Sequence, residues 1–256
     1  MDVKQILKER GFAFSKRYGQ NFITDVNLLR AVALDSGVGK DDVCVEIGAG
    51  AGTLTRELCA VAKRVVAYEI DERLKSILDV TLSGINNCKV IFADVLKAGT
   101  DAVLSETGGK YKVAANLPYY ITTPLIFFFL GDENCESLTV MVQKEVAERF
   151  VAPAGTAEYG AVSAQIALAG DVKITRRVSR NMFCPVPNVD SAVIRIDVKP
   201  KITDKVEREK VSRVIAAAFS MRRKTLANNL SSALNVSRSD ATDAITALGF
   251  DASVRG

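Results

Sequence analysis

Two short stretches of this chain combine residue types that could carry out a group transfer. Asn116-Leu117-Pro118-Tyr119 ends an apolar run in an amide, a proline and an aromatic ring, a set suited to grasping the amino group of a flat base. About 70 residues upstream, Glu46-Ile47-Gly48-Ala49-Gly50-Ala51-Gly52 has the form of a nucleotide-cofactor loop. Together they supply both halves of one reaction, methyl transfer onto an adenine nitrogen. One segment holds the donor and the other the acceptor.

The acceptor chemistry explains the choice of residues. An exocyclic adenine nitrogen is a poor nucleophile because its lone pair is delocalised into the ring. The Asn116 side-chain oxygen and a backbone carbonyl around Leu117 could accept its two N–H groups, biasing the nitrogen toward a tetrahedral geometry aimed at a methyl donor. Pro118 stiffens the turn that holds them. Tyr119 offers a face for an extruded base, worth roughly 1–3 kcal/mol by stacking, against the few kcal/mol that extrusion costs. Phe183 could close the opposite face. The bland alternatives are an ordinary strand-to-helix turn at 116–119 and a loop anchor at Phe183, which precedes Cys184-Pro185. Phe127, Phe128 and Phe129 are consecutive, point in different directions around a helix, and read as core. Cys184 is not needed as a nucleophile.

On the donor side, a glycine-rich turn after a strand lets the backbone approach a ligand, and the following helix presents free N–H groups. Gly48, Gly50 and Gly52 supply that turn. A dinucleotide fingerprint would need its third glycine where Thr53 stands, which favours a cofactor without a diphosphate. Glu69 ends the next strand, 19 residues beyond Gly50, where an acid can accept both ribose hydroxyls of an adenosine-containing ligand. Asp94 ends the third strand similarly. Carboxylates facing one crevice suit an adenine amine and a sulfonium, so S-adenosylmethionine is the cofactor expected.

These residues need a frame. Apolar runs at Val43 to Ile47, Arg64 to Ile70, Lys89 to Ala93, Lys112 to Ala115 and Leu138 to Val142 are separated by segments long enough for helices, such as Leu54 to Val61 and Asp71 to Leu82. That rhythm belongs to a doubly wound α/β layer with a parallel sheet. Val172 to Val178 and Ser191 to Val198 read as further strands that could close the sheet with an antiparallel edge. After Pro200 the pattern turns helical through Glu207 to Phe219, Lys224 to Leu234 and Arg238 to Leu248. The expected division is a catalytic domain over 1–199 and a small all-α domain over 200–256.

Composition removes several classes of function. With 256 residues and 48% hydrophobic content the chain can bury a full core. The sequence contains no histidine, which excludes Ser-His and Cys-His nucleophiles and the usual zinc ligand set, so no metal is expected. It also predicts a methylation rate without an imidazole inflection near pH 6.5. The five cysteines are scattered and never form a C-x-x-C pair, and reduced thiols are the default reading. No stretch approaches the roughly 18 apolar residues of a membrane span and the N-terminus is not a signal peptide, so a cytoplasmic protein without a membrane partner is expected. Residues 199–256 hold 11 Lys or Arg against 6 Asp or Glu, while the rest of the chain is slightly acidic. That asymmetry is compatible with a polyanionic partner, as it is with solvated helix faces.

Taken together, these residues resemble the KsgA-type small-subunit ribosomal RNA adenine dimethyltransferases over nearly the whole chain. The resemblance rests on Gly19-Gln20-Asn21-Phe22 with Ile23, on Glu46 to Gly52, Glu69, Asp94, Asn116 to Thr122, Gln143 to Phe150 and Phe183 to Ser191, and on Phe219-Ser220-Met221-Arg222-Arg223-Lys224-Thr225-Leu226. It implies a Rossmann-like S-adenosylmethionine-dependent methyltransferase sheet with a C-terminal helical domain. The implied activity gives two adjacent adenosines in a hairpin loop near the 3′ end of small-subunit rRNA their N6 methyl groups, within an assembling ribosomal subunit. It further implies that Gln20, Asn21 and Ile23 belong to the cofactor site, with Asn21 and Ile23 along the methionine moiety. Gly48 and Gly50 then form the loop, Glu69 meets the ribose, Asp94 meets the adenine amine, and Asn116 serves donor and acceptor. Arg222, Arg223 and Lys224 are expected on RNA phosphates, and the enzyme is expected to be a monomer. Ile23 stands where leucine is more usual, and the chain stops at Gly256 where relatives usually continue into a short helix, so a truncated C-terminus is expected. Three competing readings are a large-subunit rRNA adenine methyltransferase, a ribosome-assembly factor with secondary catalysis, and a nicotinamide-dependent oxidoreductase.

Overall fold

The structure is a computed structural model that describes residues 3–12, 21–23 and 25–255. Gln20 of the expected cofactor site lies outside the described residues. Nine strands are found among them: β1 (Phe22–Ile23), β2 (Val43–Ile47), β3 (Arg64–Glu69), β4 (Cys88–Phe92), β5 (Tyr111–Asn116), β6 (Cys135–Gln143), β7 (Gly170–Val178), β8 (Phe183–Cys184) and β9 (Ser191–Val198). Seven form one sheet in the order β4-β3-β2-β5-β6-β9-β7, and β1 pairs with β8 in a small antiparallel ribbon.

From β4 to β6 the sheet is parallel, as crossover helices require. Its central strands are buried on both faces and read as continuous apolar runs: Cys44, Val45, Val65, Val66, Ala67 and Ala114 are fully buried. Each fully buried valine or leucine contributes roughly 1.5–3 kcal/mol. β9 runs antiparallel to β6, so the antiparallel part read from the sequence is present. It starts inside the sheet, however, because β9 lies between β6 and β7 and leaves β7 at the edge.

Helix starts follow ordinary capping chemistry. Asp25 accepts from the Leu28 N–H at 2.9 Å and begins the helix Val26–Asp35. Asp71 accepts from Arg73 N, so the segment read as one helix opens as a 3₁₀ turn, Glu72–Leu74, before the α-helix Lys75–Thr81. Of the three consecutive phenylalanines in helix Thr122–Leu130, Phe129 is buried edge-on against Tyr111, and Phe127 and Phe128 are half-buried. All five cysteines are free thiols.

The chain divides into two compact units. The first comprises the residues up to Ala147 together with Val172–Val198, and holds the whole parallel part of the sheet. The second comprises Glu148–Asp171 and the residues from Lys199 onward. It contains the helices Ala161–Ala169, Lys205–Ala218, Leu226–Leu234 and Arg238–Ala247. The boundary near 200 expected from the sequence coincides with one of the crossings, but the helical unit also takes in the segment before β7. Gln165 and Ser212 link the two segments of this unit: the Gln165 amide donates to the Ser212 carbonyl at 2.7 Å, and the Ser212 hydroxyl donates back at 2.9 Å. Among the described residues no helix is long and apolar enough to cross a membrane.

Candidate active site

In the strand order, β2 has β3 on one side and β5 on the other, so the chain turns away from β2 in both directions. A crevice opens beyond the carboxyl ends of strands at such a point. A cavity of about 240 Å³ occupies it, walled by the glycine turn after β2, the ends of β3 and β5, the residues following β4, and the Asn21–Ile23 segment. Gly48, Gly50, Glu69, Asp94, Asn21, Ile23, Asn116, Leu117, Pro118 and Tyr119 all line it. The sheet register accounts for this, because Ile47 lies beside Tyr68 on one side and Ala115 on the other.

The donor wall is tightly hydrogen-bonded. Gly48 and Gly50 both have φ in the left-handed region, 79° and 56°. A Cβ on Gly50 would stand 2.8 Å from the Phe22 ring, so this position tolerates only glycine. The Gly50 N–H donates to Glu69 Oε2 at 2.8 Å, and the Ile70 and Asp71 N–H groups donate to Glu69 Oε1, each at 2.8 Å. Three of the carboxylate's about four acceptor positions are therefore taken, leaving one on Oε2. In this arrangement Glu69 has room for one further hydroxyl, rather than the two anticipated from its place at the strand end. Burial pushes the Glu69 carboxyl up from the usual range while the backbone donors hold it back. Asp94 lines the cavity and also caps the helix Val95–Ala98, accepting from Leu96 N at 3.1 Å.

The acceptor wall depends on distant partners. Asn116 Nδ2 donates to the Asn21 carbonyl at 3.1 Å across 95 residues of sequence. A carbonyl can only accept, so the nitrogen must be the amide atom beside it. The side-chain oxygen is thereby left as the acceptor end. The Pro118 carbonyl is occupied by Ile121 N and Thr122 Oγ1, so Leu117, buried and one residue earlier, carries the adjacent backbone carbonyl. Tyr119 opens a 3₁₀ turn, Tyr119–Ile121, and its hydroxyl bonds the Ser191 hydroxyl at 2.9 Å.

One placement differs from the sequence reading. Phe183 is 4% exposed, packed in the hydrophobic core and register-paired with Ile23, and it does not line the cavity. Pairing of β8 with β1 turns that ring inward, which spacing along the chain could not reveal. Arg222, Arg223 and Lys224 are exposed on the loop between two helices of the second unit and, among the described residues, pair with no carboxylate.

In the sequence Glu46 stands out only as part of the glycine motif, and in the structure it lines the cavity in its own right. It is 1% exposed, flanked in the sheet by Ala67 and Ala114, and its Oε2 has no hydrogen-bond partner. Burial pushes this carboxyl well above the usual range, and the Thr55 hydroxyl acts the other way. The signal was available in Val43-Cys44-Val45-Glu46-Ile47, where a carboxyl interrupts an otherwise apolar buried strand. Ser191 was also missed as a partner of Tyr119, and no local pattern announces it. Among the described residues no cluster of three or more His, Cys, Asp or Glu could hold a metal ion.

A parallel sheet with a glycine turn, strand-end acids and an amide meeting in one crevice defines the class of Rossmann-like methyltransferases. The family described as ribosomal RNA adenine dimethylase matches residues 11–248, and the chain belongs to that family. The chain is 44% identical over 238 residues to the ribosomal RNA small subunit methyltransferase A of Bacillus mycoides (strain KBAB4), covering 91% of this chain and 82% of the relative. The protein of the same name from Bacillus cereus (strain AH187) matches to the same extent. Among solved structures, the 23S rRNA methyltransferase ErmE superposes with a TM-score of 0.73 at 26% identity, covering 91% of this chain and 92% of that one. A dimethyladenosine transferase from Plasmodium falciparum gives 0.71 at 26% identity, covering 91% and 85%.

Proposed function

We propose that this chain transfers methyl groups from S-adenosylmethionine to N6 of two adjacent adenosines in the hairpin loop near the 3′ end of small-subunit (16S) rRNA, acting on an assembling ribosomal subunit. The observation that carries the reading is Asn116, which lines the same cavity as the glycine turn and whose amide is oriented by Asn21 with its oxygen left to accept. The cavity wall fits the cofactor. Gly48 and Gly50 let the backbone approach it, the spare position on Glu69 Oε2 accepts a ribose hydroxyl, Asp94 faces the adenine amine, and Asn21 and Ile23 flank the methionine portion. When bound, S-adenosylmethionine supplies an electrophilic methyl on a sulfonium.

On the acceptor side, Asn116 Oδ1 and the Leu117 carbonyl take the two N–H groups of the base, and Tyr119 supports one of its faces. Phe183 is better suited to hold the Asn21–Ile23 segment against the site than to cover the base, since it pairs with Ile23. Arg222, Arg223 and Lys224 neutralise RNA phosphates. The likeness to ErmE favours a second reading, transfer to large-subunit rRNA. Incubating the protein with labelled S-adenosylmethionine and separately purified, unmethylated small and large subunits separates the two. Label should enter small subunits, and label confined to large subunits would replace this reading with the second.

A further inference from the structure

Tyr119, which supports the base in the proposed reaction, is held by a residue from a different strand. Tyr119 Oη and Ser191 Oγ are 2.9 Å apart, and Ser191 is 1% exposed at the start of β9, 72 residues away in sequence. Ser191 is itself fixed by its surroundings. It is register-paired with Gln143 at the end of β6. The residue before it is pinned twice, as Lys144 N donates to the Asp190 carbonyl and Arg180 N to the Asp190 carboxylate, each at 3.0 Å. Tyr119, in contrast, sits on a single 3₁₀ turn, in which Ile121 N donates to the Pro118 carbonyl at 3.2 Å. The second side-chain torsion of a tyrosine is broad, so a bond at the far end of the ring decides its tilt.

We propose that Ser191 is a positioning residue for base capture: its hydroxyl, anchored where the start of β9 pairs with the end of β6, sets the plane of the Tyr119 ring so that a stacking face is formed before RNA arrives. Burial of the Tyr119 phenol pushes its pKa up from the ordinary range, which keeps it a neutral partner for the serine. A preformed face spares the ordering cost on binding, so the effect belongs to RNA capture and leaves the cofactor wall alone.

The proposal rests on the proposed rRNA methylation and is tested on it with Ser191→Ala, Tyr119→Phe and the double variant, using undermethylated small subunits. Each single change should raise KM for the RNA particle about fivefold, the size of one neutral hydrogen bond. The double variant should show the same factor of about five, because the two changes break one bond. The Kd for S-adenosylmethionine should stay within about twofold of wild type. A double variant near the product of the two singles, or a Tyr119→Phe enzyme with unchanged KM, would overturn the proposal. If Ser191→Ala fails to fold, Tyr119→Phe alone decides, since it keeps the ring and loses only the bond. A wild-type protein that leaves the particle unmethylated would remove the underlying reading, and this proposal with it.

Discussion

The two walls of the cavity are built in different ways. The donor wall is local: the Gly50, Ile70 and Asp71 N–H groups all bond Glu69 within about 20 residues of sequence, and each of the four lies within three residues of a strand end. The acceptor wall is remote, with Asn116 oriented from 95 residues away and Tyr119 from 72. A local wall can be preformed by the strand-turn-helix units that carry it. A remote one exists only once the sheet, the β1–β8 ribbon and the β8–β9 loop have assembled. Damage to the donor wall should therefore weaken cofactor binding, and damage to the acceptor wall should show in transfer to RNA.

The sharpest break of this contrast is Asn116→Ala. Single-turnover methylation should fall by roughly 10² to 10³, the size found for losing a preorganised group that acts in the transition state. Cofactor affinity, measured by calorimetry, should suffer less than the rate, and a rate within threefold of wild type would remove Asn116 from the acceptor role. Gly50→Ala attacks the other wall, placing a Cβ against Phe22 at a left-handed φ. Strain of that kind costs about 1–3 kcal/mol, so Kd for S-adenosylmethionine should rise about tenfold or more. RNA affinity should be preserved, and a fall in RNA binding alone would show that the walls are not separable.

Glu46 is a buried carboxyl on β2, just before the glycine turn, and it lines the cavity. Its folded pKa is raised above the ordinary 4.5, so the native state keeps its proton at pH values where the unfolded chain has lost it. The stability associated with this group is fully present below about pH 4.5 and is lost as pH rises through the raised value, by up to about 1.4 kcal/mol per pH unit. Glu46→Gln should remove that component, and the variant should gain stability relative to wild type as pH rises from about 4 to 8 in denaturant titrations. Parallel pH curves for the two proteins would mean that Glu46 has the same pKa in the folded and unfolded chain, against the raised value described here. The absence of histidine thus rules out an imidazole step, while raised carboxyls on the cavity wall remain able to titrate.

The smallest expected effect lies outside the cavity. Replacing Arg222, Arg223 and Lys224 by alanine should lower the salt slope of RNA binding by about 1 per residue, with the same adenosines modified. An unchanged slope would make the loop a solvated surface.

What could be read from the chain follows the same division. The parallel strands, the glycine turn and the acids at Glu69 and Asp94 were legible because their spacing is local and periodic. Asn116 to Tyr119 was legible as a composition, but not its supports, Asn21 and Ser191. Phe183 was misplaced because strand pairing with Ile23, invisible in spacing, decides which way the ring turns. The place of Glu148–Asp171 in the helical unit was likewise hidden, since the partners that tie it there, such as Ser212 for Gln165, are distant in sequence.

Position-resolved mass spectrometry of rRNA from undermethylated small subunits, treated with the protein and methyl-labelled S-adenosylmethionine, tests the central claim most directly. The account predicts label on N6 of two adjacent adenosines near the 3′ end with wild-type protein, and almost none with Asn116→Ala. Label on another base, or equal labelling by both proteins, would contradict it.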